Sequence, residues 1–407
     1  MHALRLMCAA SFLLSLAGCG DSAAPLSDAG PRADGAVVGD AGPPRDAGPR
    51  MDGGSGADAG PGTDAGPDFD AGPDMDAGPA PGIDAGPAPG TDAGPAPTTD
   101  AGPMPRPMIA GCAIFPADNP WNQDVTTLPL HPRAAEIGSR MNRTRALHAD
   151  WGNWSVDHYG IPWTSGAGAP ALTLTITTAW GAGETDPLPC PGGGGMFCYP
   201  IPSTSPIEGG SAASSGSDRH VLYLDTAGAP GDCTLYELYN AQNFTGPGWR
   251  AANGAIFHLG TNALRPEGWT SADAAGLPIL PGLVRVDEVL AGEIRHALRF
   301  TMASTARAYI HPATHAAGDV GTDLPPMGLR VRLRADYPVA GAPAPAQVIL
   351  RAMQTYGMLL ADNGSDWYVT GDSDDRWNAI IDDVITGLGA VHGSDFEILD
   401  TGPSLPM

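Results

Sequence analysis

Short segments of alternating or continuous apolar residues, separated by Gly, Pro and Ser, dominate the chain after about residue 109. Alternation with a period of two, together with β-branched and aromatic content, predicts strands because successive side chains of a strand point to opposite faces. No helical pattern separates these segments, so the sequence favours antiparallel sheets over a βαβ arrangement. The predicted strands are residues 171–178, 220–225, 234–239, 255–259, 293–302, 307–311 and 329–335.

Two helical patterns follow near the end of the chain. Apolar residues recur at spacings of three and four over residues 346–360, as one face of a packed helix requires. The second pattern consists of Trp377, Ile380, Ile381, Val384 and Leu388. Between them, Asp362-Asn363-Gly364 indicates a turn into a strand at residues 367–370. The predicted fold class is therefore mainly β, an antiparallel β-sandwich or jelly-roll-like domain with C-terminal covering helices.

The first residues have the pattern of an export signal. Arg5 begins a basic segment, residues 6–16 are apolar but too short to span a bilayer, and Leu16-Ala17-Gly18-Cys19 follows. This tetrapeptide resembles the lipobox of bacterial lipoproteins, whose cysteine receives lipid before the signal is cleaved. The resemblance implies a signal peptide over residues 1–18, lipidation and membrane attachment at Cys19, and a place in the cell envelope, at the outer membrane or cell surface. An ordinary signal peptide with a chance cysteine is the alternative.

An acidic repeat fills residues 19–108. The tetrapeptide Asp-Ala-Gly-Pro occurs ten times there at irregular spacing, and residues 20–107 contain fifteen Asp and four Arg. Gly and Pro oppose helix, the Asp side chains repel one another, and the repeat has too few apolar residues to build a core. We therefore expect a disordered linker, followed by a single globular β-rich domain at residues 109–407.

The charged residues restrict the chemistry. The formal net charge is -24, and all 21 basic positions are arginine. Without lysine there is no Schiff base, no Walker A lysine and no Ser-x-x-Lys nucleophile pair. An acidic chain is also a poor ligand for phosphate backbones. The sequence thus predicts neither a nucleotide nor a nucleic acid as partner, and no cofactor.

Four cysteines follow Cys19. An exported protein meets an oxidising compartment, so disulfides are the default state of its cysteines. Cys190 and Cys198 flank a Gly-rich loop and are expected to pair locally, which leaves Cys112 to pair with Cys233. Zinc is the alternative, but neither a Cys-x-x-Cys pair nor clustered histidines accompany these cysteines. No metal site is predicted.

The densest polar stretch lies at the beginning of a predicted strand. Glu208 is followed by a Ser-Gly loop and then by Asp218-Arg219-His220. Glu208 could act as a general acid or base, and His220 titrates near neutrality with Asp218 or Arg219 close enough to tune it. Alternatively, Asp218 and Arg219 form an ion pair that closes the loop while His220 bonds to a backbone group.

A long irregular segment covers residues 262–282, and some interaction must hold it in place. Its polar members Asn262, Arg265, Trp269 and Asp273 are candidates for substrate contact. Arg265 with Asp273 could equally pin the loop. Trp269 could belong to the core or form a stacking surface for a sugar ring.

Two predicted strands carry arginine on one face. A period of two places Arg299 opposite His296 in one strand, and it puts Arg330, Arg332 and Arg334 together in the other. If both faces belong to one sheet, they form an arginine-lined surface suited to an acidic glycan, since guanidinium groups bind carboxylates and sulfates bidentately. The alternative is a solvated face on which the arginines balance acidic residues.

Several of these segments together resemble a family of secreted bacterial and fungal proteins without a settled activity. The segments are Pro206-Ile207-Glu208-Gly209-Gly210, Asp218-Arg219-His220, residues 262–282 and Tyr356-Gly357-Met358. The similarity spans about residues 114–400. It implies one extracellular domain and carries over no catalytic residue.

Two functions remain open. The first is a glycan-active enzyme, a hydrolase or uronate lyase on an extracellular and acidic polysaccharide, in which arginines hold the substrate. Its candidate acid-base residues are Glu208, Asp218, His220 and His296. The second is a carbohydrate-binding or adhesive surface lipoprotein without chemistry. Two carboxylates, or a His and an Arg, that converge in one cleft would favour the enzyme, whereas a flat aromatic strip would favour binding.

Overall fold

The strands predicted from alternating residues form, and they assemble into several sheets. The computed structural model describes residues 106–210, 218–242, 248–319, 321 and 323–407. The predicted signal peptide, the lipidation site Cys19 and nearly all of the predicted linker lie outside these ranges. The described residues contain more strand than helix, in mainly antiparallel sheets, so the predicted mainly β class is confirmed.

The strands are β1 Met108–Ile109, β2 Cys112–Ala113, β3 His148–Asp150, β4 Trp163–Gly166, β5 Leu172–Ile176, β6 Cys198–Tyr199, β7 Val221–Asp225, β8 Thr234–Tyr239, β9 Trp249–Ala251, β10 Asn253–His258, β11 Leu298–Met302, β12 Ala308–Tyr309, β13 Arg330–Leu333, β14 Met358–Asn363, β15 Tyr368–Thr370, β16 Phe396–Ile398 and β17 Leu405–Pro406. The helices are α1 Ala134–Gly138, α2 Ala179–Glu184, α3 Val286–Ala291, α4 Ala344–Thr355 and α5 Ile381–Gly389. None of these described helices has the length and apolar character needed to cross a bilayer.

A four-stranded sheet in the order β10-β8-β7-β4 is covered on both faces. Strand β7 is therefore buried at four successive positions instead of alternating. Leu222 and Leu224 belong to the main hydrophobic core, whereas Val221 and Tyr223 belong to a smaller second core. That second core also takes in residues of the three-stranded sheet β6-β5-β9.

A six-stranded sheet in the order β16-β13-β14-β11-β15-β3 forms the other half of the main core. Leu298, Phe300 and Met302 of β11 alternate into that core, where the Phe300 ring stacks on Trp367. Helices α4 and α5 pack on each other and against strands β13 and β3. Arg299 and Thr301 consequently point to the opposite face of the sheet.

The helix predicted over residues 346–360 is too long. Helix α4 ends at Thr355, and Met358–Asn363 is instead the central strand β14. Gly357 separates them with a φ of 67°, and a Cβ there would lie 2.3 Å from the backbone oxygen of Val331. An apolar run such as Met358 to Ala361 fits helix and buried strand equally well, so periodicity could not locate the break.

Both predicted disulfides are confirmed. Cys190 pairs with Cys198 and closes a short loop, while Cys112 pairs with Cys233 across 121 positions of sequence. Cys112 and Cys233 are fully buried. The second disulfide therefore ties β2 to the residue that precedes β8.

Candidate functional site

A polar cavity of about 310 Å³ lies where the end of β14 and the neighbouring strands of the six-stranded sheet meet the entry to β7. We call it the acidic cavity because four carboxylic side chains line it: Asp150, Glu208, Asp218 and Asp362. His220, Arg299, Tyr159 and Tyr368 also contribute to its wall. Glu208, Asp218, His220 and Arg299 were predicted as site residues from the sequence, and the fold brings these four together.

A β-bulge positions Asp362. Phe300 of β11 pairs with Leu360 of β14, but the next residue, Thr301, pairs with Asp362, so Ala361 is an extra residue. Without the bulge, Asp362 would share the core-facing side of Leu360. The bulge turns it to the face of Thr301 and Arg299, where its carboxylate lies 4.0 Å from the Arg299 guanidinium.

Glu208 and the buried His220 form an ion pair at the entry to β7. The Nδ1 of His220 lies 2.8 Å from Oε2 of Glu208, and its Nε2 lies 2.9 Å from the backbone oxygen of Ala272. Burial alone would lower the pKa of His220, but the Glu208 carboxylate outweighs it and raises the pKa to about 9. Burial works against ionisation of Glu208 as well, yet the charge and hydrogen bonds of His220 leave its pKa below the usual value. His220 is thus an imidazolium with both nitrogens engaged.

Arg299 is shared between two carboxyl groups. Its Nη2 lies 3.1 Å from Oδ1 of Asp273, and its Nη1 donates to the Thr370 hydroxyl at 2.9 Å. Arg299 is 2% exposed and Asp273 is fully buried. Burial raises the pKa of Asp273 to about 6 and that of Asp362 to about 7, the latter with a contribution from the negative charge of Asp273. Asp362 is therefore a carboxylic acid that retains its proton close to neutral pH.

Asp150, a further carboxyl group of the cavity, contacts aromatic residues. The Tyr159 hydroxyl donates to Asp150 at 2.7 Å and lies 3.1 Å from Nε2 of His148, whose ring stacks on Tyr368 at 4.1 Å. Burial raises the pKa of Asp150. Burial and the Asp150 charge also raise the pKa of Tyr159, so the phenol keeps its proton and remains a donor.

The segment at residues 262–282 is pinned differently from the prediction. Arg265 forms an ion pair with Asp186 and donates to the backbone oxygen of Thr270 at 2.9 Å, whereas Asp273 pairs with Arg299. Arg265 also lines a second, mainly apolar cavity of about 340 Å³. The guanidinium carbon of Arg265 lies 5.8 Å from the ring centre of Trp269.

Two further predicted residues lie apart from the lining of the acidic cavity. Asn262 donates to Asp118 and accepts from Asn119, which fastens the beginning of the irregular segment to the start of the domain. Arg219 is buried, and its Nε donates to the backbone oxygen of Ala241 at 2.9 Å. Both residues therefore make structural contacts within the fold.

The two strand faces that carry arginine belong to one sheet, but they are not exposed to solvent. Arg299 and Arg330 both pair in register with Leu359 and so share a face. They are only 2% and 1% exposed, and Arg330 donates to the backbone oxygens of Tyr356 and Pro120. Alternation correctly predicted that Arg299 and Arg330 share a face. Segments that are distant in sequence cover that face, and alternation cannot predict them. The arginine-lined surface for an acidic glycan is therefore absent at these two positions.

His296 lies outside the acidic cavity's lining. Strand β11 begins at Leu298, so the prediction of a strand from residue 293 was too long at its start. The His296 ring is 1% exposed and lies 3.0 Å from the Glu288 carboxylate and 2.7 Å from the Ala297 oxygen. Arg285 completes this buried network through an ion pair with Glu288.

Sequence reasoning missed four residues of the site: Asp150, Tyr159, Asp362 and Tyr368. Only Asp362 carried a signal, since Asp362-Asn363-Gly364 stood out as a turn. The others come from short strands and a loop whose spatial neighbours are distant in sequence. Among the described residues, no group of three or more His, Cys, Asp or Glu side chains could hold a metal ion.

Comparisons with known proteins add no assignment to this geometry. No family model, no curated protein and no solved structure matches the chain. The acidic cavity itself is therefore the feature of this protein that indicates a function.

The buried pair of Glu208 and His220 predicts a specific pH dependence of stability. The pKa of His220 is raised in the folded state, so its contribution is fully present below its ordinary value of 6.5 and is lost as the pH rises through about 9. We expect the difference in unfolding free energy between the native protein and His220→Gln to shrink over this interval in chemical denaturation. The exposed His258→Gln should show no such trend. A difference that is constant from pH 6 to about 10 would contradict the imidazolium assignment.

Proposed function

We propose that the acidic cavity is the catalytic site of a glycan hydrolase that uses one carboxylic acid and one carboxylate. One observation carries the proposal: the same cavity holds Asp362, whose pKa is about 7, and Glu208, whose pKa is lowered by His220. Glycoside hydrolysis requires this division between a protonated and an ionised carboxyl group.

The proposed reaction assigns each group one task. Asp362 gives its proton to the glycosidic oxygen as the bond from that oxygen to the anomeric carbon breaks. Water adds to the anomeric carbon and passes a proton to the Glu208 carboxylate. The ion pair with His220 keeps Glu208 ionised, and its negative charge stabilises the positive charge that develops on the sugar ring.

The cavity wall supports a sugar better than other substrates of hydrolases. Tyr159 and Tyr368 offer aromatic side chains for packing against a sugar ring. His220 cannot activate a serine or cysteine nucleophile, since both of its nitrogens are engaged. A uronate lyase would need a cation for the substrate carboxylate, and Arg299 already faces Asp273 and Asp362. A hydrolase is therefore favoured over a lyase.

The anchor suggested by the lipobox fits this proposal. With lipid on Cys19, the hydrolase would be held at a membrane and would act on glycans of the cell envelope or its surroundings. A binding or adhesive lipoprotein is the competing function, and it needs no acid-base pair.

A product assay on the full chain tests the proposed activity. The purified protein is incubated with neutral, amine-bearing and acidic polysaccharides while reducing ends and the absorbance of unsaturated uronates are followed. We expect new reducing ends without unsaturated products. Binding to a glycan without any product would overturn the hydrolase and support the binding protein, and unsaturated products would identify a lyase instead.

A further inference from the structure

The charge balance of the acidic cavity points to the kind of substrate. Two positively charged side chains of the cavity already pair with carboxylates of the protein. Arg299 pairs with Asp273, and His220 pairs with Glu208. Asp150, Asp218 and Asp362 add further carboxyl groups to the same wall. The cavity therefore carries an excess of acid over base.

Asp150 is one of these carboxyl groups, and its surroundings favour a positively charged ligand. The charged and titratable groups that act on Asp150 are Tyr159, His148, Glu208 and Arg299. Asp150 accepts a hydrogen bond from the neutral phenol of Tyr159, and burial raises the pKa of Asp150. Asp218, by contrast, is exposed and lines the cavity from the segment that leads into β7. A positive charge brought in by a ligand would stabilise both carboxylates, because a nearby opposite charge favours the ionised form of a carboxyl group.

The acidic cavity is a concave pocket and not only an acidic patch on the surface. A volume of about 310 Å³ lies at the lower end of the range for ligand pockets and suits a small unit of a polymer. Arg299 lines this space, but its Nη1 already bonds to Thr370 and its Nη2 pairs with Asp273. An occupant with a positive charge would therefore complement the remaining carboxyl groups of the wall.

We propose that the substrate is a glycan of amino sugars with free amines, whose ammonium group pairs with Asp150 and Asp218. The inference rests on the proposed function and deepens it. As in the proposed function, Asp362 donates its proton to the glycosidic oxygen. Pairing with the ammonium group favours the ionised form of Asp150, so binding lowers the pKa of its carboxyl group and displaces its proton to the solvent at pH values near that pKa.

Calorimetry on the full chain tests the amine. The Asp362→Asn variant, which cannot donate the catalytic proton, is titrated with glucosamine oligosaccharides and with the same oligosaccharides after N-acetylation. Two buffers of different ionisation enthalpy, compared from pH 4 to pH 6, report proton release. We expect the free amines to bind at least about tenfold more tightly, a difference of about 1.4 kcal/mol. The apparent enthalpy should depend on the buffer for the free amines alone.

Two carboxylate variants and a control locate the ammonium group. In the Asp362→Asn background, Asp218→Asn and Asp150→Asn should each weaken binding of the free amines and leave the N-acetylated chain unaffected. Asp383→Asn, an exposed change on α5, should have no effect. Asp218 is exposed, so its variant tests the idea even if Asp150→Asn folds poorly. Equal or tighter binding of the N-acetylated chain would overturn the inference.

The two proposals fail in different ways. Reducing ends from a neutral glycan, with amine-bearing chains left intact, would overturn amine recognition and leave the hydrolase standing. Amine-specific binding with proton release, but without product from the native protein, would overturn the hydrolase and leave the amine site standing.

Discussion

Replacing Arg299 by Met is expected to destabilise the domain by roughly 3–5 kcal/mol, because it leaves the fully buried Asp273 without its cation. The loss should be measured by chemical denaturation at neutral pH. It should shrink in acid, since Asp273 then binds a proton and the buried charge disappears. The pKa of Asp273 is already raised to about 6 with Arg299 present, and removing the cation raises it further.

A second substitution separates charge from packing. The double variant Arg299→Met with Asp273→Leu removes both buried charges and should recover most of the loss. Arg334→Met is the matched control, because Arg334 and its partner Asp336 are both exposed and should contribute little. A double variant no more stable than Arg299→Met alone would show that packing, and not an unpaired charge, causes the loss.

Asp362→Asn is expected to lower kcat by about 10²- to 10⁴-fold on any glycan that the native protein cleaves. Asparagine has nearly the same shape but cannot give a proton to the leaving group. The proton must be present for the native reaction, so the native rate should fall as the pH rises through about 7. That alkaline limb should disappear in the variant.

Glu208→Gln should lower kcat comparably for a different reason, since it removes the carboxylate that takes the proton from water. Asp383→Asn again serves as the control. Retention of most activity in either cavity variant, with the fold intact by circular dichroism, would reject the assigned roles. Tight glycan binding in both inactive variants would show that the substitutions affect chemistry more than association.

The sequence identified the parts of this protein that depend on neighbours along the chain. Strand β8 was predicted at its observed bounds because β-branched, aromatic and aliphatic residues with high strand propensity are concentrated there. The cysteine pairs followed from the single short loop between Cys190 and Cys198. Glu208, Asp218 and His220 stood out because a polar stretch precedes a hydrophobic strand.

The remaining half of the acidic cavity depends on contacts that no local pattern encodes. Asp362 reaches the cavity through one extra residue, Ala361, in a parallel strand pair, and a bulge of this kind leaves no periodic trace. Asp150 arrives through the pairing of β3 with β15, which are more than two hundred residues apart in the chain. Arg299 shows a second limit of prediction from sequence. Alternation predicts the face of the sheet to which a side chain points, but it does not predict whether other segments bury that face.

The disulfide between Cys112 and Cys233 also determines how the domain would respond to a pull from its N-terminal side. Tension entering at Arg106 reaches Cys112 and crosses the sulfur bridge directly to the residue before β8. The chain between the two cysteines forms a closed covalent loop that includes Asp150, Glu208 and His220, and the shorter path through the bridge relieves it of mechanical load. A tethered molecule could therefore be stretched by flow or by a bound polymer without drawing these three residues apart.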